Sequence, residues 1–403
     1  VLPAFLHPFA RPTKDDFVTI VRGEGARVFD ASGKAYVDGL ASLWYCAAGH
    51  GRTEIADAIR TQAATLAAYS TFDPFTNEPA DRLAERLLGI TPVPEARVFF
   101  TDSGSESIDT AMKLARLMFQ LGGDTERTLV VSRTRGYHGV NYGGTSAQGI
   151  APNRQGWGPL LEGVVQVDAD DVESLALFFA EHGHRVAAVV AEPVQGAGGV
   201  YPPEPGYLEA VRRLCDQHGA LLIFDEVITG FGRLGSWFAA GHFGVTPDLV
   251  TFAKAITSGY QPLGGVFVGA RVRAALEADP AYILRHGYTY SGHPTACAAA
   301  HANLDIFERE GLVARAAAVG ERLGTGLEAL AADGLLAGAR GVGAIWAAQV
   351  PADRDVNAVR ARLLELGVIS RAIPPDTIPF CPPFVATDAD IDQIIDALAT
   401  ALR

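Results

Sequence analysis

Cysteine is scarce in this chain. The four present (Cys46, Cys215, Cys297 and Cys381) stand far apart, with no C-x-x-C spacing. That argues against a disulfide framework and fits free thiols in a reducing compartment. No block rich in lysine and arginine occurs, and the formal net charge is −13. A polyanion-binding surface, and with it nucleic acid as a partner, is therefore not expected. The longest apolar runs are only strand-length, so no membrane span is expected. The first ten residues hold Pro3, His7 and Pro8 and no basic cluster, which speaks against a signal peptide and for a cytoplasmic protein. The patterns G-x-x-x-x-G-K-[ST] and G-x-S-x-G are absent. So are H-E-x-x-H and any Cys/His ligand cluster, and no metal is expected.

Hydrophobic residues make up 48% of the 403, enough for one large domain and a smaller companion. Val28–Asp30, a turn at Ala31–Lys34 and Ala35–Asp38 read as a β-hairpin. Strands are expected at Arg97–Phe100, Thr128–Ser132, Gly163–Val167, Val186–Ala191, Ala220–Asp225, Leu249–Phe252 and Gly265–Gly269. Helical patterns at Ser105–Gln120, Val172–His182 and Gly206–His218 alternate with them. Such alternation predicts an α/β fold with a mostly parallel seven-stranded sheet and helices on both faces. The link Ser258–Gly264 is too short for a helical crossover, so the last strand should be antiparallel. Beyond Pro294 the texture changes. Helices are expected at Pro294–Glu310, Leu312–Ala332, Val356–Leu366 and Asp388–Leu402, with a strand at Gly341–Val350. The division expected is an N-terminal segment (1–50) joining a small α+β domain (286–403), with a large domain (51–285) between.

Two polar residues stand at the far ends of apolar runs: Asp225 in Leu221-Leu-Ile-Phe-Asp225-Glu-Val227, and Lys254 in Asp248-Leu-Val-Thr-Phe-Ala-Lys254. A lysine in apolar surroundings has a lowered pKa and becomes nucleophilic. Delivered to one sheet edge, an ammonium and a carboxylate are the two charges that pyridoxal phosphate chemistry requires. Taken alone, Lys254 also reads as an ordinary strand-end lysine, and Asp225 as a metal ligand or helix cap. Thr101-Asp-Ser103-Gly104-Ser105-Glu106 is a strand, a small polar turn and a helix start. It suits either a phosphate cradle or a plain capping box, Ser103-x-x-Glu106. Tyr137, in Gly136-Tyr-His-Gly139, is placed to stack on a flat ring or to serve as a core aromatic. Val227 faces the same way as Asp225 on an extended segment.

These stretches resemble the class III (fold-type I) pyridoxal phosphate aminotransferases. So do Ala191-Glu-Pro-Val-Gln-Gly196, Phe224-Asp-Glu-Val-Ile-Thr-Gly-Phe-Gly-Arg233, Pro247-Asp-Leu-Val-Thr-Phe-Ala-Lys254 and Gly287-Tyr-Thr-Tyr-Ser-Gly-His-Pro294. They run in family order over nearly the whole chain. The resemblance implies Lys254 as Schiff-base lysine and proton shuttle and Asp225 as partner of the ring nitrogen. It implies Tyr137 and Val227 on the two ring faces, and Ser103, Gly104 and Ser105 at the phosphate. His138 and Glu192 would lie beside the cofactor, and Arg233 would be structural. Thr289 would reach the phosphate of a neighbouring subunit, which makes a homodimer the expected assembly, with a tetramer left open.

Finer features resemble the ω-transaminases of that family. Leu43 and Trp44 match their pocket wall, Tyr142 a tyrosine beside the substrate, and Arg371 a mobile arginine that binds a carboxylate or swings away. Ala197 stands where ornithine-, acetylornithine- and γ-aminobutyrate-type relatives carry a glutamate that pairs with a substrate-reading arginine. That change points away from 2-oxoglutarate and towards pyruvate. Two departures are Ala255, where many relatives have glycine, and a short Gly158–Val172 stretch. The expected reaction is ping-pong amino transfer from an ω-amino acid or primary amine to pyruvate, with (S)-selectivity. The alternatives are a 2-oxoglutarate-dependent aminotransferase, a dialkylglycine decarboxylase or a semialdehyde aminomutase, and, least favoured, a non-enzymatic scaffold.

Overall fold

The computed structural model describes residues 3–403. Its centre is a seven-stranded sheet made of β4 (Arg97–Thr101), β5 (Leu129–Arg133), β6 (Val164–Val167), β7 (Val186–Ala191), β8 (Leu221–Asp225), β9 (Leu249–Phe252) and β10 (Gly264–Val268). The spatial order is β4-β10-β9-β8-β7-β5-β6. β6, β5, β7, β8 and β9 are parallel neighbours. β10 runs antiparallel to both β9 and β4, so it alone points the other way.

The strand residues explain this burial. β5, β7, β8 and β9 are buried along their whole length, as continuous apolar strands covered on both faces must be. Successive residues feed opposite cores. Val130, Val190 and Ile223 pack with Ile108, Met112 and Leu114 of helix Gly104–Leu121, while Val131, Val189 and Leu222 belong to the larger core on the other side.

Two smaller sheets flank this unit. β1 (Ile20–Glu24), β2 (Arg27–Asp30) and β3 (Ala35–Asp38) form an antiparallel run, joined in parallel at β3 by the late strand β13 (Val368–Ile369). β11 (Gly338–Val342), β12 (Ile345–Gln349) and β14 (Thr377–Phe380) form a three-stranded sheet. The single strand expected at Gly341–Val350 is thus two strands. Gly343 turns the chain between them at φ +53, where an added Cβ would meet Leu234 Cα at 2.5 Å. Two helices absent from the sequence expectation, Thr53–Leu66 and Glu78–Leu88, pack against Pro294–Arg309. All four cysteines are free and buried, and among the described residues no helix is long and apolar enough to cross a membrane.

Candidate active site

β4, β5, β7, β8 and β9 end on the same edge of the sheet, the edge where open α/β sheets bind ligands. Following those ends, the chain supplies Ser103–Ser105, Tyr137 and His138, Glu192, Asp225 and Val227, and Lys254.

Asp225 is the last residue of β8 and is 5% exposed. Three donors offset the cost of burying its carboxylate. His138 Nδ1 lies at 2.8 Å, Thr251 Oγ1 at 3.2 Å and the Val227 N–H at 3.2 Å. Thr251 is the residue paired with Asp225 across the β8–β9 register. A carboxylate has about four lone-pair positions, so one acceptor position remains for a further N–H.

Lys254 opens a 3-10 turn two residues beyond β9 and is partly buried. Its φ is +53, a left-handed setting that costs a non-glycine residue roughly 1–2 kcal/mol. Its amine has no hydrogen bond or ion pair among the described residues. Burial lowers its pKa from the ordinary lysine value, and Asp225 and Glu192 partly oppose the shift. The amine and the Asp225 carboxylate therefore influence one another without closing into a salt bridge.

Glu192, directly after β7, is 4% exposed and accepts from the Tyr137 N–H at 2.8 Å and the Gly196 N–H at 2.9 Å. Burial is the main force raising its carboxyl pKa. The carboxylate thus fixes the backbone that carries the Tyr137 ring. Arg133 reaches the same spot, donating to the Glu192 carbonyl. Burial also raises the Tyr137 phenol, and the nearby Arg371 guanidinium pulls it back.

The helix start at Gly104 carries the cap that the sequence offered as one of two readings. Ser103 is a working N-cap whose hydroxyl accepts from the Glu106 N–H at 3.2 Å. The Glu106 carboxylate reaches back to the Asp102 N–H at 2.7 Å rather than to residue 103. This cap consumes none of the donors at Gly104 and Ser105, whose N–H groups have no acceptor among the described residues. Such a cap does not exclude an anion cradle, because an α-helix leaves its first four N–H groups free. Gly104 is required for a second reason. A Cβ there would lie 2.8 Å from Val227 Cγ1, and one on Gly139 would lie 2.5 Å from Ser105 Oγ. The cradle and the Val227 wall are pressed together. Ser105 Oγ also accepts from the Val140 N–H at 3.0 Å.

The remaining expected residues lie further from this buried cluster. Leu43 is half exposed, whereas Trp44 is 2% exposed and packs with Leu40, Val194, Ile228 and Cys381. Tyr142 is 58% exposed, and its hydroxyl donates to the Trp157 carbonyl at 3.2 Å. Arg371 is partly buried beside Tyr137, and burial pulls its guanidinium pKa down. Among the described residues no carboxylate pairs with it. Thr289 is exposed on a loop tied down by its neighbours, with Tyr288 OH donating to the Glu106 carbonyl at 3.2 Å and Ser291 Oγ to the Phe100 carbonyl at 2.8 Å. Arg233 is buried and donates to the Ala344 and Pro382 carbonyls while lying over Phe384, a structural position.

Sequence reasoning passed over Thr251 and Asn303. Each is a fully buried polar residue inside an apolar element, and that contrast was the available signal. The donor set fits pyridoxal phosphate: an open acceptor on a buried carboxylate, an unpaired, partly buried amine and two free N–H groups at a helix start. No group of His, Cys, Asp and Glu among the described residues could hold a metal ion.

A family model described as Aminotransferase class-III matches residues 9–402. The chain is 39% identical to a β-alanine–pyruvate aminotransferase of Pseudomonas aeruginosa, over 100% of this chain and 96% of that protein. Among solved structures it is similar to a thermostable (S)-enantioselective ω-transaminase from Thermomicrobium roseum, at 38% identity and a TM-score of 0.94, covering 98% and 95% of the two chains. It is also similar to an amine transaminase from an uncultivated Pseudomonas species in its PLP-bound form, at 36% identity and a TM-score of 0.93, covering 99% and 98%.

Proposed function

The chain belongs to the class III aminotransferases, and from that premise we propose that it moves an amino group from an ω-amino acid or primary amine to pyruvate, with (S)-selectivity, by a ping-pong mechanism. The observation that carries this reading is the pair formed by Asp225 and Lys254. A buried carboxylate with an open acceptor position and a partly buried, unpaired amine share one sheet edge without neutralising each other.

When bound, pyridoxal phosphate supplies an aldehyde carbon that takes up the amino group and a ring that draws electrons from the substrate carbon. Asp225 would accept a hydrogen bond from the ring nitrogen and keep it protonated. His138 and Thr251 hold that carboxylate in place. Tyr137 and Val227 would bound the two ring faces, with Glu192 fixing the Tyr137 backbone. Ser103, Gly104 and Ser105 would hold the phosphate at the positive end of the helix, and Thr289 would do so from a second copy of the chain. Lys254 Nζ would anchor the cofactor between turnovers. Its lowered pKa leaves a larger neutral fraction, so that it can take a proton from the substrate carbon and return it.

Arg371 would receive the pyruvate carboxylate, since a guanidinium without a protein carboxylate partner is free to form a bidentate pair. Leu43, Trp44 and Tyr142 would shape the space for the apolar part of the amine. Ala197, which offers no anionic partner, supports pyruvate over 2-oxoglutarate. The test is a panel of amine donors with each of the two acceptors, following alanine and glutamate separately. The reading expects alanine to accumulate with pyruvate and little glutamate with 2-oxoglutarate. Glutamate formation at an equal rate would reject the acceptor assignment.

A further inference from the structure

Asn303 lies inside helix Pro294–Arg309, far in sequence from the strand ends that form the site. It is fully buried on an otherwise apolar face with Ala299, Ala300, Leu304 and Phe307. A carboxamide in such a place must have its donors and acceptor satisfied, and an apolar side chain of equal volume would cost less to bury. All its partners belong to the turn that begins at Lys254. The amide nitrogen lies 2.9 Å from the Ala255 carbonyl and 3.0 Å from the Ile256 carbonyl. The amide oxygen accepts from the Ser258 hydroxyl at 2.7 Å, and that hydroxyl accepts from the Ala48 N–H at 3.0 Å. The opposite amide orientation would set its oxygen against two carbonyl oxygens, so the network fixes the assignment.

The turn itself needs such a clamp. It starts and ends on non-glycine residues with positive φ, +53 at Lys254 and +47 at Ser258. Backbone of this kind persists only where its surroundings over-determine it. Asn303 supplies three hydrogen bonds between those two points.

We propose that Asn303 is a positioning residue for Lys254: its carboxamide holds the turn that keeps the lysine backbone left-handed and the amine inside the site. Through Ser258 and Ala48 the same clamp extends to the N-terminal segment that carries Leu43 and Trp44. This rests on the assignment of Lys254 as the reactive amine. Asn303 itself makes no hydrogen bond to any of the proposed cofactor-binding side chains.

The test uses Asn303→Leu and Asn303→Ala in the full chain. Leucine keeps the volume and removes both donors. One readout is made on protein stripped of cofactor: the pH midpoint for labelling Lys254 with acetic anhydride, followed by mass spectrometry against the exposed Lys34. In the variants the midpoint rises by about one pH unit towards that of an ordinary lysine, because a relaxed turn lets the amine reach water. In cofactor-loaded enzyme kcat falls about tenfold or more while the amine KM stays within about threefold, as expected when reacting groups are misplaced and binding is kept. Ser258→Ala, which leaves both carbonyl bonds in place, gives the same pattern at smaller amplitude. It carries the test if the position-303 variants do not fold, and an unchanged midpoint there overturns the proposal. Folded Asn303 variants with an unchanged midpoint and kcat, and only a lower Tm, make Asn303 a packing residue and likewise overturn it. If wild-type protein transfers no amino group, the functional reading fails, while the labelling midpoint still decides the role of Asn303.

Discussion

The region around Asp225 and the region around Arg371 are built in opposite ways. Asp225, His138, Thr251 and Glu192 are all 5% exposed or less; hydrogen bonds tie His138 and Thr251 to Asp225, and Glu192 to the Tyr137 backbone. Leu43, Tyr142 and Thr289 are exposed, and Arg371 has no ion-pair partner among the described residues. Groups that act on developing charge gain from being fixed and dry. Groups that recognise a variable substrate gain from freedom to move. On the proposed function, the contrast would separate a preorganised half that serves any amino transfer from an open half in which Leu43, Tyr142 and Arg371 would meet the amine and the oxo acid.

The largest effect should come from the buried half. Lys254→Ala removes the amine and is expected to lower turnover by roughly 10⁴-fold or more, measured as alanine formed from pyruvate. Multiple turnovers at a near wild-type rate would break the comparison outright. Asp225→Asn keeps the shape and removes the charge. It should lower kcat by about 10²–10³-fold, with the donor KM changed far less.

In the open half, Arg371→Ala should raise the pyruvate KM by about 10–100-fold, the worth of a charge-assisted bidentate pair. The KM for an arylalkyl amine should stay within about threefold. Equal losses for both substrates would remove the switching role. Thr289→Ala should weaken cofactor retention by about threefold to tenfold, the worth of one hydrogen bond, as measured by dialysis and absorbance. No change would count against a contribution from a second subunit.

The smallest effect concerns Glu226, the neighbour of Asp225 that faces away from the site. It is fully buried, accepts from the Ala240 N–H at 2.9 Å and from Thr229 Oγ1 at 3.0 Å, and burial raises its pKa to about 7. A carboxyl whose folded pKa is raised stabilises the fold below its unfolded pKa of about 4.3. That stability is lost as pH rises through about 7. The Tm of wild-type protein should therefore fall relative to Glu226→Gln across that window, while kcat shows no matching inflection. A constant difference in Tm would contradict the assignment.

The two halves were also unequally legible in the sequence. The strands β5, β7, β8 and β9 stood out because buried parallel strands are continuous apolar runs with polar ends, and those ends are Asp225 and Lys254. Helix Thr53–Leu66 did not stand out, since only Ile55 on it is fully buried, leaving little periodic signal. β1 is largely exposed and lacks an apolar face. The β11–β12 hairpin was missed because its turn depends on a close approach of Gly343 to Leu234, a tertiary constraint. Asn303 and Thr251 offered only the contrast of a polar residue inside an apolar element. Their meaning lies in partners far away in the chain or on the neighbouring strand. The resemblance to class III aminotransferases named the open-half residues, but the exposure of Leu43, Tyr142 and Thr289 and the missing ion-pair partner of Arg371 could come only from the structure.

The chain has four lysines, Lys14, Lys34, Lys113 and Lys254, which makes the central claim directly measurable. Protein loaded with pyridoxal phosphate would be reduced with borohydride, digested and mapped by mass spectrometry. The account predicts one pyridoxyl group per chain, on the peptide containing Lys254. A pyridoxyl group on Lys14, Lys34 or Lys113 instead, or none retained, would contradict it.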